Sequence, residues 1–330
     1  MADETCILVT GGAGYIGSHC CRALGAAGYK PIVYDNLSTG HRSFVSAEMV
    51  VGDLVQKDLI VAALRKYDVT AVMHFAASSL VGESVADPQT YYVNNVVGTL
   101  SLLQAMREAG CRRIVFSSTG AVYGNADSKA LPENFPCVPI NPYGASKWMI
   151  ERILSDYRAA YGFGAFCLRY FNASGADPAG DIGEWRANET HLIPRAMMAL
   201  QGYIDDFAIF GDDYDTPDKT AIRDYIHVND LAAAHVAALK LLQEGHSGGS
   251  FNLGTGSGFS VREILAAIKR VTGRDVPYVV KQRRPGDPTY LVADPSAARE
   301  ILGFIPNCSD LFTIIETAWT WHQKAHPTKL

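Results

Sequence analysis

The feature that most constrains the fold is a glycine-rich turn, Gly11-Gly-Ala-Gly14-Tyr-Ile-Gly17, near the start of the chain. The apolar run Cys6-Ile-Leu-Val-Thr10 before it predicts a buried strand, and residues 15–27 after it predict a helix closed by Gly28. Glycine in such a turn permits a tight bend, lets the backbone approach a pyrophosphate and lets the helix pack closely on the strand. The free N–H groups of the helix N-terminus can then bind phosphate.

An acidic residue ends the next predicted strand, 31–35. Asp35 follows Gly17 by 18 residues, where a carboxylate accepts a hydrogen bond from a ribose 2′-OH. The same charge would repel a 2′-phosphate, which favours NAD over NADP. Taken singly, the turn is also compatible with a ligand-free bend and Asp35 with a strand-end cap. Together they predict an NAD site.

Strands and helices alternate through the first half of the chain. The strands are continuously apolar, which indicates burial on both faces. This alternation predicts an α/β fold with a Rossmann-type doubly wound parallel sheet, whose ligands bind beyond the carboxyl ends of the strands. Further strands are predicted at 49–51, 71–75, 113–118 and 165–169, and further helices at 57–67, 92–109 and 143–161.

The pattern loosens after about residue 172, which predicts a smaller mixed α/β C-terminal domain. We expect a cofactor domain over 1–171 with a possible return segment at 219–250, and a substrate domain formed by 172–218 and 251–330. Helices are predicted there at 192–201, 228–242 and 260–272, and a Gly/Asp-rich loop at 202–219. The acidic residues of 205–218 match no calcium-loop spacing, so we expect a solvated loop and no metal.

Composition excludes several classes of protein. The net charge is −5 with no Lys/Arg run, which disfavours nucleic acid as a partner. The acidic N-terminus carries no signal-peptide pattern, and no apolar stretch approaches the ~18 residues of a membrane span. The seven cysteines are scattered, which argues against a disulfide framework or a zinc site and favours a cytoplasmic setting.

A tyrosine and a lysine lie one helical turn apart at the start of the helix after the fifth strand. The motif Tyr143-Gly-Ala-Ser-Lys147 places both side chains on one face. A phenol has a pKa of about 10, and a nearby ammonium together with a nicotinamide cation would lower that pKa. Tyr143 could then remove a proton from a sugar hydroxyl. Thr119, after the fifth strand, could hydrogen-bond the reacting oxygen, or serve as a turn cap.

The Tyr-x-x-x-Lys spacing alone is weak evidence, because the chain has 16 tyrosines and such a match arises readily by chance. The motif becomes meaningful through its position, because it lies at the ligand-binding edge of a sheet that also carries the NAD motif. Asp53 and Leu54, after the third strand, are placed to reach the adenine, although Asp53 alone would more often be a helix N-cap. The small residues of 75–79 permit a cofactor to lie close after the fourth strand.

These motifs resemble the extended short-chain dehydrogenase/reductase superfamily, and further motifs resemble the UDP-glucose 4-epimerase family over nearly the whole chain. The matching segments are 9–19, 34–37, 81–85, 116–119, 122–124, 141–147, 169–172, 208–214, 223–228 and 283–287. The resemblance implies that Tyr143 removes the 4-hydroxyl proton while C4 gives hydride to tightly bound NAD. The 4-keto sugar then turns over and takes hydride back on its other face. Lys147 and Thr119 complete the implied catalytic set.

The resemblance also implies two sets of binding residues. The predicted cofactor contacts are Gly11, Gly14, Tyr15, Ile16, Gly17, Asp35, Asn36, Leu37, Ser38, Thr39, Gly40, Asp53, Leu54, Phe75, Ala76, Ala77, Ser79, Asn94, Thr119, Tyr143, Lys147 and Phe171. The predicted UDP-sugar contacts are Thr119, Tyr143, Asn172, His191, Leu192, Ala208, Ile209, Phe210, Arg223, Arg284, Asp287 and Leu291. Among these, Arg223 and Arg284 would face the diphosphate, because guanidinium groups suit it, and Asp287 would face the uridine ribose.

Three positions depart from relatives. Ser79 stands where some have a lysine that contacts the cofactor ribose, which leaves the strength of NAD retention open. His191 stands where an asparagine commonly contacts the diphosphate, and it introduces a possible pH dependence. Leu291 stands at the position that gates the sugar pocket, and its intermediate size leaves acceptance of N-acetylated sugars open.

Other readings stay open at this point. A dehydratase would need a carboxylate next to Thr119, and Gly120-Ala121 follows it. A UDP-xylose/UDP-arabinose or UDP-N-acetylhexosamine 4-epimerase is barely distinguished by the motifs. A catalytically silent NAD-sensing protein is disfavoured by the retained Tyr143, Lys147 and Thr119. The resemblance further implies a homodimer through the helices that begin near residues 92 and 143.

Overall fold

The computed structural model describes residues 5–284 and 286–325. Its strands are β1 Cys6–Thr10, β2 Lys30–Asp35, β3 Glu48–Val51, β4 Ala71–His74, β5 Arg113–Thr119, β6 Ser128–Leu131, β7 Gly164–Tyr170, β8 Asn172–Ser174, β9 Ala208–Phe210, β10 Ile222–Arg223, β11 Tyr225–His227, β12 Gly248–Leu253, β13 Phe259–Ser260, β14 Val279–Lys281 and β15 Tyr290–Ala293.

Its α-helices are α1 Tyr15–Ala26, α2 Lys57–Lys66, α3 Val81–Ala86, α4 Pro88–Tyr91, α5 Gly98–Ala109, α6 Pro142–Tyr161, α7 Leu192–Leu200, α8 Val228–Gln243, α9 Val261–Thr272, α10 Ser296–Leu302 and α11 Leu311–Ala325. Tyr92–Val97 is a π-helical stretch, and Arg42–Phe44 and Gly120–Tyr123 are 3₁₀ turns. Within the described residues, no helix is long and apolar enough to cross a membrane.

A seven-stranded parallel sheet forms the centre of the molecule, in the order β3-β2-β1-β4-β5-β7-β12. Alternate residues of β1 face opposite layers. Ile7 and Val9 pack with side chains of α1 and α8, whereas Leu8 packs with side chains of α2 and α5. Both faces of the sheet are therefore covered by helices, and the predicted doubly wound Rossmann-type fold is confirmed.

The second half of the chain builds three small sheets and a separate apolar cluster. The sheets have the strand orders β13-β10-β15-β6, β11-β8 and β14-β9, and α7, α9 and α11 share the cluster. The chain also returns to the main sheet, because β12 pairs with β7 and α8 packs against α1. The division into two domains stays a prediction, but this return reaches Leu253 and so extends past the expected 219–250.

The helix predicted over 92–109 differs from the observed one. Helix begins at Pro88, where Asp87 caps the N–H of Thr90, and Tyr92–Val97 is π-helical before α5 starts. In this stretch the Asn95 side chain bonds the backbone N–H and C=O of Ser78. Those are long-range contacts that apolar periodicity does not encode, and π-helical turns are frequent at functional sites. The loop predicted over 202–219 also contains a strand, β9.

Candidate active site

The turn after β1 is packed so tightly that two of its glycines leave no room for a side chain. Gly11 has a φ of +70°, and a Cβ there would lie 2.5 Å from the amide nitrogen of Ala76. A Cβ on Gly17 would lie 2.2 Å from the carbonyl oxygen of Gly11. Gly14 is the N-cap of α1, and among the described residues no side chain bonds the N–H groups at this helix end. The first turn of α1 also holds no acidic residue. Its free N–H groups therefore fit an incoming pyrophosphate.

Asp35 is fixed against this turn. The buried carboxylate accepts hydrogen bonds from the N–H of Ala13 (3.0 Å) and of Leu37 (2.8 Å). The predicted contacts at 36–40 wrap around it, and a Cβ on Gly40 would approach its Oδ1 to 3.0 Å. Because the carboxylate is anchored to the glycine turn, one rigid unit presents both the anion site and an acceptor for ribose hydroxyls.

Asp53 lies beside the same loop. Its Oδ2 accepts a hydrogen bond from Asn36 at 2.8 Å, and its carbonyl oxygen accepts one from the Tyr34 hydroxyl at 2.8 Å. It does not cap the following helix, whose N-cap is Gln56. Leu54 is buried and lies 3.0 Å from where a Cβ of Gly98 would stand. Asn36 and Asp53 therefore form one polar edge next to the Asp35 carboxylate.

The segment after β4 forms the opposite side of the cleft. Ala76 lies under Gly11, and Asn94 donates to the Ser78 hydroxyl at 3.0 Å. Ser79 accepts a hydrogen bond from the Arg186 guanidinium, with 3.1 Å between Nη1 and Oγ. The predicted cofactor residues of the two segments therefore face each other across the ends of β1 and β4.

Tyr143 and Thr119 meet at the mouth of this cleft. Asn141 caps α6 by accepting from the N–H of Gly144 at 2.8 Å, which places Tyr143 in the first turn. Thr119 ends β5 and accepts from the N–H of Ala121 at 3.1 Å, and its hydroxyl is close enough to the Tyr143 phenol to affect the pKa of that phenol. Thr119 therefore caps the 3₁₀ turn that follows β5, and its contact with the reacting oxygen stays a prediction.

Burial raises the pKa of the Tyr143 phenol, while the Thr119 hydrogen bond and the charge of Arg186 oppose that rise. The lowered phenol pKa expected from a neighbouring ammonium and a nicotinamide cation is not seen in the protein alone. In the absence of the nicotinamide charge, desolvation is the larger effect.

Lys147 is buried below Tyr143. Its Nζ donates to the carbonyl oxygen of Ser117 at 2.9 Å and lies 4.8 Å from the centre of the Phe116 ring. Burial lowers the pKa of this ammonium to about 7, against the opposing charge of Glu151. Lys147 therefore titrates near neutral pH and is anchored to the sheet.

The predicted substrate residues come from the small sheets. β9 carries Ala208, Ile209 and Phe210 and pairs with β14, and the Arg284 guanidinium lies 4.0 Å from the centre of the Phe210 ring. Asp287 pairs with Arg223 and accepts from the Tyr214 hydroxyl at 3.3 Å. The structure therefore clusters the predicted uridine and diphosphate residues.

Two further predicted residues connect this pocket to the catalytic end of the sheet. Asn172 donates to the carbonyl oxygen of Asp224 at 3.0 Å. Leu291 is opposite Arg223 in the β10–β15 pair and packs against the same apolar cluster as Phe171. Leu291 therefore sits between the cation expected to bind diphosphate and the ring expected near the nicotinamide.

His191 is held by acidic neighbours. Its Nδ1 donates to Glu184 at 2.6 Å, and the charge of Glu184 raises the pKa of His191. The next residue, Leu192, begins α7. Because Nδ1 already donates to Glu184, only Nε2 of His191 could make the predicted hydrogen bond to the diphosphate.

Glu184, Glu189 and His191 place donor atoms within 4.8 Å of one another. The oxygen of Glu184 that accepts from His191 also lies 3.2 Å from Nε of Arg186. Two cationic or potentially cationic groups thus already compensate this carboxylate. We keep the expectation of no metal.

Sequence reasoning missed Arg186, Tyr91 and Asn95. Arg186 is a single cation in a loop, outside every motif, and carried no signal. Asn95 lies in the helix predicted over 92–109 and Tyr91 lies just before it, where an asparagine and a tyrosine are unremarkable. Their roles depend on long-range hydrogen bonds to the segment after β4.

Residues 7–254 match the NAD dependent epimerase/dehydratase family. The chain belongs to this family and, within it, to the UDP-glucose 4-epimerase family that its motifs predicted.

Three similar proteins illustrate this membership. A UDP-glucose 4-epimerase of Rhizobium meliloti (strain 1021) is 50% identical over 319 residues, covering 96% of this chain and 97% of that protein. The crystal structure of UDP-glucose 4-epimerase from Brucella ovis in complex with NAD is 53% identical, with a TM-score of 0.94, and covers 96% and 98%. The Bifidobacterium longum UDP-glucose 4-epimerase in complex with NAD+ and UDP is 36% identical, with a TM-score of 0.92, and covers 99% and 100%.

Proposed function

We propose that the protein interconverts UDP-galactose and UDP-glucose by inverting C4 of the sugar, with NAD retained through the cycle. The observation that carries this proposal is the proximity of Thr119, at the end of β5, to Tyr143, in the first turn of α6, at the edge of the sheet that also holds the glycine turn. Phe210, Arg223 and Arg284 lie in and beside the small sheets of the second half. A reacting sugar carbon at this junction would face a dinucleotide on one side and its own nucleoside diphosphate on the other. The close relatives that carry the name UDP-glucose 4-epimerase support the same reaction.

The residues of the chain have complementary roles in this reaction. Tyr143 accepts the proton of the 4-hydroxyl and later returns it, and the nearby Thr119 hydroxyl favours the ionised form of the phenol. Lys147, anchored on Ser117, brings a positive charge one turn below Tyr143. The chemistry that bound NAD supplies is removal of hydride from C4 and its return to the other face of the 4-keto sugar. Since oxidation and reduction cancel, the cofactor need not leave.

The substrate is held by its nucleotide half. Arg284, stacked on Phe210, and Arg223, paired with Asp287, supply two guanidinium groups for the diphosphate. The edge of β9 offers backbone groups to the uracil, and Asp287 offers a carboxylate to the uridine ribose. Anchoring at the diphosphate leaves the hexose free to turn over beside Leu291.

We also infer a homodimer in a reducing, cytoplasmic setting. Val93 and Val97, one turn apart, are about half exposed, as is Met149 on α6. An apolar face shared by these two helices fits a symmetric helix–helix contact. All seven cysteines lie in the described residues, where no disulfide joins two of them, and this is compatible with a reducing compartment. Sedimentation at micromolar concentration should give twice the chain mass, and Val97→Glu should give the monomer.

The deciding experiment is conversion of UDP-galactose to UDP-glucose by purified protein without added NAD. We expect activity, with NAD released on denaturation. The Tyr143→Phe variant should lose about 10²–10⁴-fold in kcat and keep its NAD. Tyr161→Phe, at the exposed end of the same helix, is the matched control and should retain full activity. Wild-type activity in Tyr143→Phe would refute the mechanism. Turnover of UDP-xylose but not of UDP-galactose would mean that the substrate is a UDP-pentose.

A further inference from the structure

The loop that leads into Arg186 is fixed by contacts to the three residues before it. The Trp321 indole donates to the carbonyl oxygen of Glu184 at 2.9 Å, and His41 donates to that of Trp185 at 3.1 Å. Gly183 lies under the Trp321 ring, where a Cβ would approach the ring to 2.4 Å. The backbone before Arg186 is therefore held by two distant segments, which limits where its side chain can reach.

The Arg186 guanidinium spans from this loop to the segment after β4. Its Nε lies 3.2 Å from Glu184 Oε1, and its Nη1 lies 3.1 Å from Ser79 Oγ. The side chain is largely buried, with 27% of it exposed. Since both interactions use separate nitrogens of one planar group, the charge is held in one orientation.

Ser79 connects Arg186 to the catalytic tyrosine by a short chain of contacts. The next residue, Leu80, bonds the Tyr91 hydroxyl through both its N–H (2.8 Å) and its C=O (2.6 Å). The Tyr91 ring meets the Tyr143 ring edge to face, with centroids 6.4 Å apart. Arg186 and Tyr143 therefore lie at the two ends of one chain of contacts that runs through residues 79–80 and Tyr91.

We propose that Arg186 is a positioning residue of the 4-epimerase reaction: its guanidinium, held between Glu184 and Ser79, provides a permanent positive charge facing Tyr143 and stabilises the phenolate that removes the sugar proton. This inference rests on the proposed role of Tyr143 as the base. It assigns to a residue outside every motif a part of the phenolate stabilisation that was expected from Lys147 and the nicotinamide cation.

The charges around the two groups are consistent with this assignment. Burial raises the pKa of Tyr143, and the charge of Arg186 opposes that rise. The charge of Tyr143 in turn contributes to the raised pKa of Arg186. Lys147 has a pKa of about 7, so its charge fades in the range where a guanidinium stays fully charged. The remaining titratable or charged groups facing Tyr143 or Arg186 are Tyr15, Tyr91, Tyr170, Glu184, Glu189 and His191.

The test is the pH profile of kcat/KM for UDP-galactose in the Arg186→Met, Arg186→Gln and Arg186→Lys variants, with NAD content measured for each. Removal of the positive charge should shift the rising limb of the pH profile to higher pH by about one unit. At pH values below the midpoint of that limb, kcat/KM should fall about tenfold. Arg186→Lys should keep the limb near its wild-type position. Two neutral variants are used so that one that fails to fold does not decide the result.

Arg22→Met is the matched control, because Arg22 pairs with Asp177 and Asp181 at the surface; its limb should not move. An unchanged limb in both neutral variants would overturn the proposal. So would an equal loss at every pH together with lost NAD, which would make Arg186 a cofactor-retention residue. If Tyr143→Phe stayed active, the role of Tyr143 would fail first, and the two failures are thereby distinguished.

Discussion

The cofactor cleft of this protein is lined mainly by backbone groups, whereas the substrate pocket is lined mainly by side chains. The cleft is made largely of backbone: the turn after β1, the loop around Asp35 and the segment after β4, all within the first 79 residues. The pocket is made of side chains from β9, β10 and the segment before β15, which only the small sheets bring together. A backbone-built site leaves no tolerance for added atoms, whereas a side-chain-built site can lose one group and keep its shape.

The largest effect is expected where the cleft has no space. In Gly17→Ala the new Cβ would lie 2.2 Å from the carbonyl oxygen of Gly11, so the turn must open. Overpacking of this kind costs about 1–3 kcal/mol, and a widened turn no longer presents its N–H groups to a pyrophosphate. We expect a lower melting temperature and loss of retained NAD, measured by thermal unfolding and by NAD release on denaturation.

Gly25→Ala is the matched control for that substitution. Gly25 lies in the same helix, and nothing stands within 4 Å of where its Cβ would be. Alanine in a helix interior is favoured over glycine by about 0.5–1 kcal/mol, so this variant should be more stable and retain its NAD. Loss of NAD in both variants would show that helix flexibility, and not the space in the turn, governs cofactor retention.

The same contrast decides how much could be predicted from the sequence. Six of the seven strands of the main sheet were predicted, whereas β12 was expected only as part of a possible return segment. The motif from Gly11 to Asp35 was predictable because glycine spacing and strand ends are a local signature. The predicted pocket residues came from resemblance to relatives, since Phe210 and Arg284 are 74 positions apart and share no periodicity. Arg186 was not predictable by either route, because its position depends on Trp321 and His41 holding a loop.

A smaller effect is expected where the pocket loses one cation. Arg284→Met removes the guanidinium that stacks on Phe210 at 4.0 Å while keeping much of the apolar stem. A charge-assisted hydrogen bond contributes about 1.5–3 kcal/mol, so KM for UDP-galactose should rise about 10–100-fold with a smaller change in kcat. Steady-state kinetics measures both parameters.

Arg270→Met is the control for that prediction. Arg270, in α9, lies over the exposed Phe312 ring of α11 at 5.6 Å, and neither residue is a predicted substrate contact. It should leave KM unchanged and retained NAD at the wild-type level. A fall in kcat of Arg284→Met without a rise in KM would mean that the guanidinium acts on the reacting sugar and not on the diphosphate.

The smallest effect is a pH dependence of stability at the rim of the pocket. Glu184 raises the pKa of His191, so the folded state binds the proton more tightly than the unfolded state. The stabilisation is therefore fully present below the unfolded pKa of about 6.5 and is lost as pH rises through the folded pKa. Because the His191 side chain is about half exposed, solvent screening limits the effect to below about 1 kcal/mol.

His191→Gln should accordingly lower the free energy of unfolding at about pH 6 and leave it nearly unchanged at about pH 9. Denaturant unfolding of wild type, His191→Gln, Glu184→Gln and the double variant at both pH values forms a double-mutant cycle. The coupling should appear at the lower pH and vanish at the higher one. A coupling of equal size at both pH values would mean that a neutral hydrogen bond joins the two side chains, and the stability of the rim would then be insensitive to pH.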